Sequence, residues 1–341
     1  MKIWFDADNG PHVLIMKPLV HELERRGHDV RFTARDRAGT CQLLDLYGLR
    51  YRQVGGVYGK GMWNKVRGTL GRAAALAAAM RGERCQVSFG HGSRALPLAS
   101  RLVGVPSVTM YDYEWVDPHL FNRFCRTILM PAAIGAARCR EAGIAATKVV
   151  HYAGFKEELY LADAPLQPDA VAADLALRPA ALKVLLRPPA TDAHYHNPEA
   201  EAILAAVLQR LASRRDLDLV YLARSPDQLA FLTPYDLERV IVPQKVYDGP
   251  SLVAAMDVVI GGGGTMTREA AVLGVPACSF FRGRDGRVDD QLEAEGRLLR
   301  VRQAAEVARI PLARRTSPPV APDNTALVRF ICDQILAAAQ A

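Results

Sequence analysis

The sequence predicts an α/β protein built from two doubly wound, Rossmann-like halves that face a cleft. Three observations carry that reading. Short apolar runs alternate with longer helical patterns through residues 2–130. The rhythm breaks over residues 151–182, where Pro165, Pro168 and Pro179 fall. It then restarts and reaches an apolar run, Val258–Ile260, that ends in four consecutive glycines, Gly261 to Gly264. Strands separated by helical segments imply parallel sheets covered on both faces.

In the first half, Lys2–Phe5 reads as a strand and Pro11–Arg26 as a helix closed by Gly27, with Pro18 expected to kink it. Val30–Ala34 is the next strand, followed by a helix through Gln42–Leu46 and a short strand around Tyr51–Val54. A long helical stretch runs from Met62 to Met80. Val87–Phe89, the helix Arg94–Val103, Ser107–Met110 and Ile128–Met130 continue the alternation. After the break come strand Lys183–Leu186, helix Glu199–Ser213, and strands Leu217–Leu222, Val240–Val242, Val258–Ile260 and Ala277–Phe280. A last apolar helix, Thr325 to Ala339, has no strand after it and is expected to pack back across the junction. The boundaries that follow are residues 1–155 for the first domain, 156–182 for a connection, 183–322 for the second domain and 323–341 for the final helix.

Composition narrows the class. At 341 residues, 50% hydrophobic and 23% charged, the chain suits two globular domains. Its longest apolar run, Ala73 to Met80 between Arg72 and Arg81, is too short to span a bilayer. The opening M-K-I-W-F-D-A-D reads as a strand rather than a signal peptide. Six scattered cysteines without C-x-x-C spacing argue against both a zinc site and a disulfide framework, and so for a cytoplasmic protein. Net charge is +7 but uneven: residues 1–150 carry 22 Lys/Arg against 12 Asp/Glu, residues 151–341 carry 21 against 24. The first half is built to meet something negative. No nucleic-acid motif accompanies that charge, so an anionic membrane surface or a phosphorylated acceptor fits better and nucleic acid is not expected.

The most informative stretch is Asp257 to Pro276, D-V-V-I-G-G-G-G-T-M-T-R-E-A-A-V-L-G-V-P. A buried strand ends in glycines and a helix begins at Thr265, with Met266, Ala270 and Leu273 expected on its buried face. Glycines let a bulky anion approach the backbone, and the N–H groups of a first helical turn attract negative charge. Thr265 adds a hydroxyl. Glu269 lies four residues on, where a carboxylate suits ribose hydroxyls better than a diphosphate. Two other glycine motifs do not match. Met266 stands where the third glycine of G-x-G-x-x-G belongs, and no Lys-Ser/Thr pair closes a P-loop. A Gly-rich turn without a ligand is the plain alternative.

The segment D-V-V-I-G-G-G-G-T-x-x-x-E-A-A-V-L-G-V-P, with Asp290-Gln291 beyond it, resembles the donor-binding half of GT-B glycosyltransferases, including the lipid-I N-acetylglucosaminyl transferase of peptidoglycan synthesis. The stretch G-P-H-V-L-I-M-K-P-L-V-H-E-L, Gly10 to Leu23, resembles the opening of the non-hydrolysing UDP-N-acetylglucosamine 2-epimerases, which share that fold. The whole chain, from M-K-I-W-F-D-A-D-N-G-P-H, is most similar to an uncharacterised prokaryotic family of GT-B type. The resemblance implies a nucleotide-sugar donor, with Gly262, Gly263, Gly264 and Thr265 on the diphosphate and Glu269 on the ribose. It also implies Gln291 at the sugar, the loop Pro243–Tyr247 beside the base, and Arg187 as a phosphate partner, or else an ordinary surface arginine.

Ligands in doubly wound sheets bind beyond the C-terminal strand ends, which nominates the loops Asp8–His12, Gly90–Ser93 and Tyr111–Asp117. They carry His12, His91, Asp112 and Glu114 as candidate catalytic groups. His12, at a helix start that disfavours its charged form, is the expected general base, with a solvent-facing role as the alternative. Asp6-Ala7-Asp8 imitates a metal-binding D-x-D, but Asp6 reads as structural and Asp8 as a cleft residue. Asp192, His194 and His196 lack a third ligand at useful spacing. No metal and no cofactor are expected. His91 stands where the epimerases carry an acid after the fourth strand, which favours a glycosyltransferase of cell-surface glycans or glycolipids over an epimerase or a silent nucleotide-sugar-binding protein. The stretch Tyr58 to Arg84, with Lys60, Lys65, Arg67, Arg72, Arg81, Arg84, Met62 and Trp63, has the composition of a surface that rests on lipid. Its loop Tyr58–Arg67 is expected to dock on the inner membrane face and present a lipid-linked acceptor, with a solvated helix packed on the core through Ala73 to Met80 as the alternative.

Overall fold

The computed structural model describes residues 1–37, 39–56, 61–162, 165–189 and 197–340. It divides into two compact units, Met1–Asp163 with Asp323–Ala341, and Ala164–Pro322.

The first unit is a seven-stranded, wholly parallel sheet of β1 (Lys2–Ala7), β2 (Asp29–Ala34), β3 (Arg52–Gln53), β4 (Val87–His91), β5 (Ser107–Met110), β6 (Thr127–Pro131) and β7 (Val149–Tyr152). Their order is β3-β2-β1-β4-β5-β6-β7. The chain therefore reverses direction between β1 and β4, where Asp6 stands beside Gly90. At such a reversal the connections leave in opposite directions and open a crevice above the strand ends.

The strands are near-continuous apolar runs because both faces are covered. Trp4, Leu76, Ala77, Met80, Leu96 and Ala99 form one buried cluster between β1 and the helices Met62–Met80 and Ala95–Val103. Fully burying a leucine such as Leu76 contributes about 1.5–3 kcal/mol. Helix Gly10–Arg25 starts at Asn9, whose side chain accepts from the Gly10 N–H, and it runs on through Pro18. The final helix, Thr325–Gln340, belongs to this unit and packs on helix Gly10–Arg25. Arg26 pairs with Asp333 at 2.5 Å, and Asn324 donates to the Leu159 carbonyl at 2.6 Å.

A buried charge pair ties these elements together. Asp6 is fully enclosed and Arg72, on helix Met62–Met80, is 2% exposed. The Arg72 Nη1 and Nη2 donate to the two Asp6 oxygens at 2.9 and 2.7 Å. Ser93 and Thr33 each add a hydroxyl at 2.8 Å, and Arg72 Nε reaches the Val54 carbonyl at 3.1 Å. Arg72 is therefore not a surface cation available to a membrane. Its charge is neutralised inside the fold.

The second unit is a six-stranded parallel sheet of β8 (Leu182–Arg187), β9 (Leu217–Tyr221), β10 (Val240–Ile241), β11 (Val258–Gly261), β12 (Ala277–Ser279) and β13 (Leu298–Arg300), in the order β10-β9-β8-β11-β12-β13. Its reversal lies between β8 and β11, with Gly261 opposite Arg187. Leu186, Leu204, Leu208, Tyr221, Ile260 and Phe280 are among its core residues. Two strands escape the apolar-run reading, β7 (V-V-H-Y) and β13 (L-L-R), each short and ending in or interrupted by a polar residue. The proline-rich segment expected as a connection holds helix Pro168–Asp174.

Removing one member of a buried ion pair leaves the other uncompensated, at a cost of about 3–5 kcal/mol. Arg72→Ala should destabilise the first unit by that amount. All three tryptophans, Trp4, Trp63 and Trp115, lie in this unit, so urea unfolding followed by their fluorescence reads it directly. Asp6→Leu/Arg72→Met should lose less than Arg72→Ala alone; a larger loss would contradict the desolvation argument.

Candidate functional site

Candidate site residues gather at both reversals, each in its own unit. In the first, His12 sits in the opening turn of helix Gly10–Arg25 and His91 ends β4. Their rings approach to 4.9 Å between centroids. Gly90, just before His91, packs closely against helix Ala95–Val103: a Cβ there would lie 2.8 Å from Leu96 Cδ2.

The two imidazoles differ in their protons. The Asp8 backbone N–H donates to His12 Nδ1 at 3.2 Å, so the neutral ring carries its proton on Nε2. That bond runs against the general-base role expected for His12, whose outward nitrogen is a donor. In His91, Nε2 is buried and has no hydrogen-bond partner among the described residues. Asp112 Oδ1 faces it at 3.8 Å. Burial pushes His12 down to about 4, with Asp8 and Asp6 opposing and Lys156 and Arg72 adding to the fall. Burial pushes His91 down to about 3, helped by His12.

The carboxylates beside the histidines are held by cations. Asp112 accepts from Lys156 Nζ at 2.6 Å, and Lys156 also bonds Glu157 at 2.7 Å. Glu114 is enclosed, with Arg138 Nε 3.4 Å from its Oε1 and the Arg138 guanidinium over the Trp115 ring. Asp8 lies 3.2 Å from Arg35 and 3.6 Å from Arg72. Lys156, Glu157 and Arg138 were not foreseen. The first two follow β7, the strand whose His151 hides its pattern, so the rule that found the other loops could not be applied there.

In the second unit Gly262 and Gly263 are required by close packing. A Cβ on Gly262 would lie 2.5 Å from the Pro189 backbone, and one on Gly263 would meet the Phe281 ring at 2.5 Å. Gly263 and Gly264 have φ of +99° and +109°, open to glycine but strained for other residues. Helix Thr265–Leu273 begins immediately after. Its buried face is Thr267, Ala270 and Leu273, while Met266 is only half-buried. The Arg187 carbonyl accepts the Gly262 N–H at 3.0 Å, which joins β8 to the glycine loop. Glu269 is buried, and its Oε2 would lie 3.7 Å from a Cβ on Gly249, at the start of helix Gly249–Ala254. Glu269 therefore adjoins the segment that follows the loop Pro243–Tyr247. Gln291 is exposed on helix Arg287–Ala294 and donates to Glu295 at 2.7 Å. Arg224, three residues beyond β9, leans over Gly263 and was also missed. Asp192, His194 and His196 lie outside the described residues. Among the described residues no group of three or more His, Cys, Asp or Glu is placed to hold a metal ion.

Two parallel doubly wound sheets, each with its reversal above the strand ends, make a GT-B-like fold. Residues 1–317 match the family described as "Protein of unknown function (DUF354)", and the chain belongs to that family. An uncharacterised protein of Methanocaldococcus jannaschii is 24% identical over 314 residues, covering 90% of this chain and 89% of the relative. In structure the chain is similar to the S. aureus MnaA–UDP complex, at TM-score 0.72, 18% identity and coverage of 97% and 95%. UDP-GlcNAc 2-epimerase of Neisseria meningitidis bound to UDP-GlcNAc gives 0.72, 13% identity and coverage of 99% and 100%. MurG of Acinetobacter baumannii gives 0.50, 15% identity and coverage of 98% and 99%.

Both histidines have folded pKa values below the ordinary 6.5, so the unfolded chain binds protons that the folded chain refuses. Their contribution is intact above about pH 6.5 and is lost as pH falls toward 4. Tryptophan-monitored urea midpoints should therefore drop between pH 7.5 and 4.5, and His12→Gln/His91→Gln should flatten that drop. An unchanged slope in the double variant would show that other groups govern acid unfolding.

Proposed function

We propose that this protein is a glycosyltransferase that uses a uridine diphosphate-sugar donor and a hydroxyl acceptor belonging to a cell-surface glycan or glycolipid. The observation that carries the reading is the second unit's reversal, where a glycine loop, a helix start and the buried Glu269 beside Gly249 occur together. Proteins of like fold that hold UDP or UDP-GlcNAc support the choice of nucleotide. The diphosphate lies on the N–H groups after Gly262 and the hydroxyl of Thr265, the ribose on Glu269, and Arg187 pairs with a phosphate. Gln291 contacts the sugar and the loop Pro243–Tyr247 the base.

In the first unit His91 Nε2 takes the proton of the acceptor hydroxyl. The imidazolium that forms faces Asp112, whose other oxygen Lys156 holds. His12 Nε2–H donates to the acceptor oxygen and orients it. That oxygen bonds to the anomeric carbon as the diphosphate leaves with its electron pair, stabilised at the helix start. Glu114, paired with Arg138, shapes the loop.

A second reading, epimerisation of the sugar nucleotide, has one observation in its favour: the neutral imidazoles of His12 and His91 stand side by side, so that one can give and one can take a proton. The fold is also more like the epimerases than MurG. Incubation with UDP-GlcNAc alone in deuterated water separates the readings. Deuterium at C2 means epimerase, transfer only with an acceptor means transferase, and neither means a binding protein.

Hydrogen bonds to a charged group contribute about 1.5–3 kcal/mol, so Glu269→Ala should weaken UDP binding about 10- to 150-fold by calorimetry. Unchanged affinity would remove Glu269 from the site. His91→Ala should cut turnover about 10²- to 10⁴-fold with nucleotide affinity preserved, and His12→Ala should cost less.

The acceptor is proposed to be lipid-linked, presented on an anionic membrane. On helix Met62–Met80, Trp63, Val66 and Leu70 recur at helical spacing and are 81%, 45% and 56% exposed, in line with Ala73, Ala77 and Met80 of the core. Arg67 is exposed beside them. Tyr58 and Lys60, and the side chains of Met62 and Lys65, lie outside what is described. Among the described residues no helix is long and apolar enough to cross a membrane. Co-sedimentation with anionic vesicles should fall as salt rises and fall further in Trp63→Ser/Arg67→Glu. Absence of vesicle binding at low salt would point to a soluble acceptor.

A further inference from the structure

We infer that Arg224 binds the distal phosphate of a nucleoside diphosphate and so makes the second unit selective for diphosphates over monophosphates. The inference rests on the UDP-sugar reading of that unit. Arg224 stands three residues beyond β9, the strand next to β8 and away from β11. Its position is set by a buried amide. The Arg224 N–H donates to Gln228 Oε1 at 2.8 Å, and Gln228 Nε2 donates to the Pro189 carbonyl at 2.8 Å. The Tyr221 hydroxyl donates to the Gln228 carbonyl at 2.9 Å, which anchors the same turn to the end of β9. Gln228 is 2% exposed, so this bridge between the loops beyond β8 and β9 is protected from water.

From that anchor the side chain reaches the glycine loop. Nε donates to the Pro188 carbonyl at 3.3 Å, and Nη2 lies 3.5 Å from the Gly263 carbonyl, both long for such bonds. The surroundings of Gly264 are informative. A Cβ on Gly262 or Gly263 would collide with Pro189 or Phe281, but one on Gly264 would meet only Arg224 Nη2, at 3.9 Å. Among the described residues a guanidinium is thus the group that borders Gly264, at the point where helix Thr265–Leu273 begins. Two independent sources of positive potential, the helix start and the guanidinium, meet there.

Spacing selects the ligand. Glu269 lies four residues beyond Thr265, about one helical turn or 5.4 Å along the axis. A nucleoside with its ribose on Glu269 carries its first phosphate to the helix start. A second phosphate is required to extend to Arg224. A monophosphate stops short.

Calorimetry with UDP and UMP on wild type, Arg224→Ala and Arg224→Lys tests this. Wild type should prefer UDP. Arg224→Ala should lose about 10- to 150-fold in UDP affinity and under about 3-fold for UMP, so that the two ligands converge. Arg224→Lys, which keeps the charge without the fork, should fall between, and its far-ultraviolet dichroism should match wild type. Equal losses for UDP and UMP, or no loss for either, would overturn the role of Arg224 while leaving the nucleotide site standing. Wild type that binds neither ligand would overturn the UDP-sugar reading and this inference together.

Discussion

The first unit is organised around one buried bidentate pair, Asp6 with Arg72. An ion pair taken out of water is stable only when its geometry is good and every remaining lone pair is used. Here both carboxylate oxygens accept from the guanidinium and each takes one further hydroxyl, from Thr33 or Ser93. The pair therefore constrains β1, β2, the loop after β4 and helix Met62–Met80 at once. Two residues beyond Asp6, the Asp8 backbone N–H donates to His12 Nδ1 and sets the tautomer of that ring.

The two units solve the problem of a ligand-facing crevice by different means. The second exposes backbone: its glycines are packed against Pro189 and Phe281, so the loop is stiff and its N–H groups need no side chain to aim them. The first exposes side chains whose charges are cancelled in pairs, Lys156 with Asp112 and Glu157, Arg138 with Glu114. Beside those pairs stand His12 and His91, which burial holds neutral. A rigid, electropositive backbone suits a multiply charged ligand; a neutral base suits a hydroxyl.

What could be read from the sequence was what is local. The glycine turn, the helix after it and the alternation of apolar runs need only neighbouring residues, and Met62–Met80 and Ser107–Met110 were located to the residue. Arg72 was misjudged because its partner is 66 residues away, and a basic helix with an interfacial tryptophan looks the same whether its cation is buried or wet. Lys156 was invisible for a related reason, being 44 residues from Asp112 and placed after a strand interrupted by His151. Arg224 was within reach, since the rule that nominated Arg187 at the end of β8 applies equally to the end of β9. The site's charge pairing is a property of topology, and a linear pattern does not carry it.

Helix Thr325–Gln340 belongs to the first unit although residues 164–322 of the second come between. Ile331, Cys332 and Ile335 are wholly buried, and Cys332 lies against the Leu19 carbonyl. During synthesis the second unit is thus complete before the first can close its core, which reverses the usual order of maturation along a chain. Until the last helix emerges, the apolar face of helix Gly10–Arg25 stands uncovered on the ribosome. The nascent first unit carries that exposed apolar face for as long as it takes to translate the whole of the second.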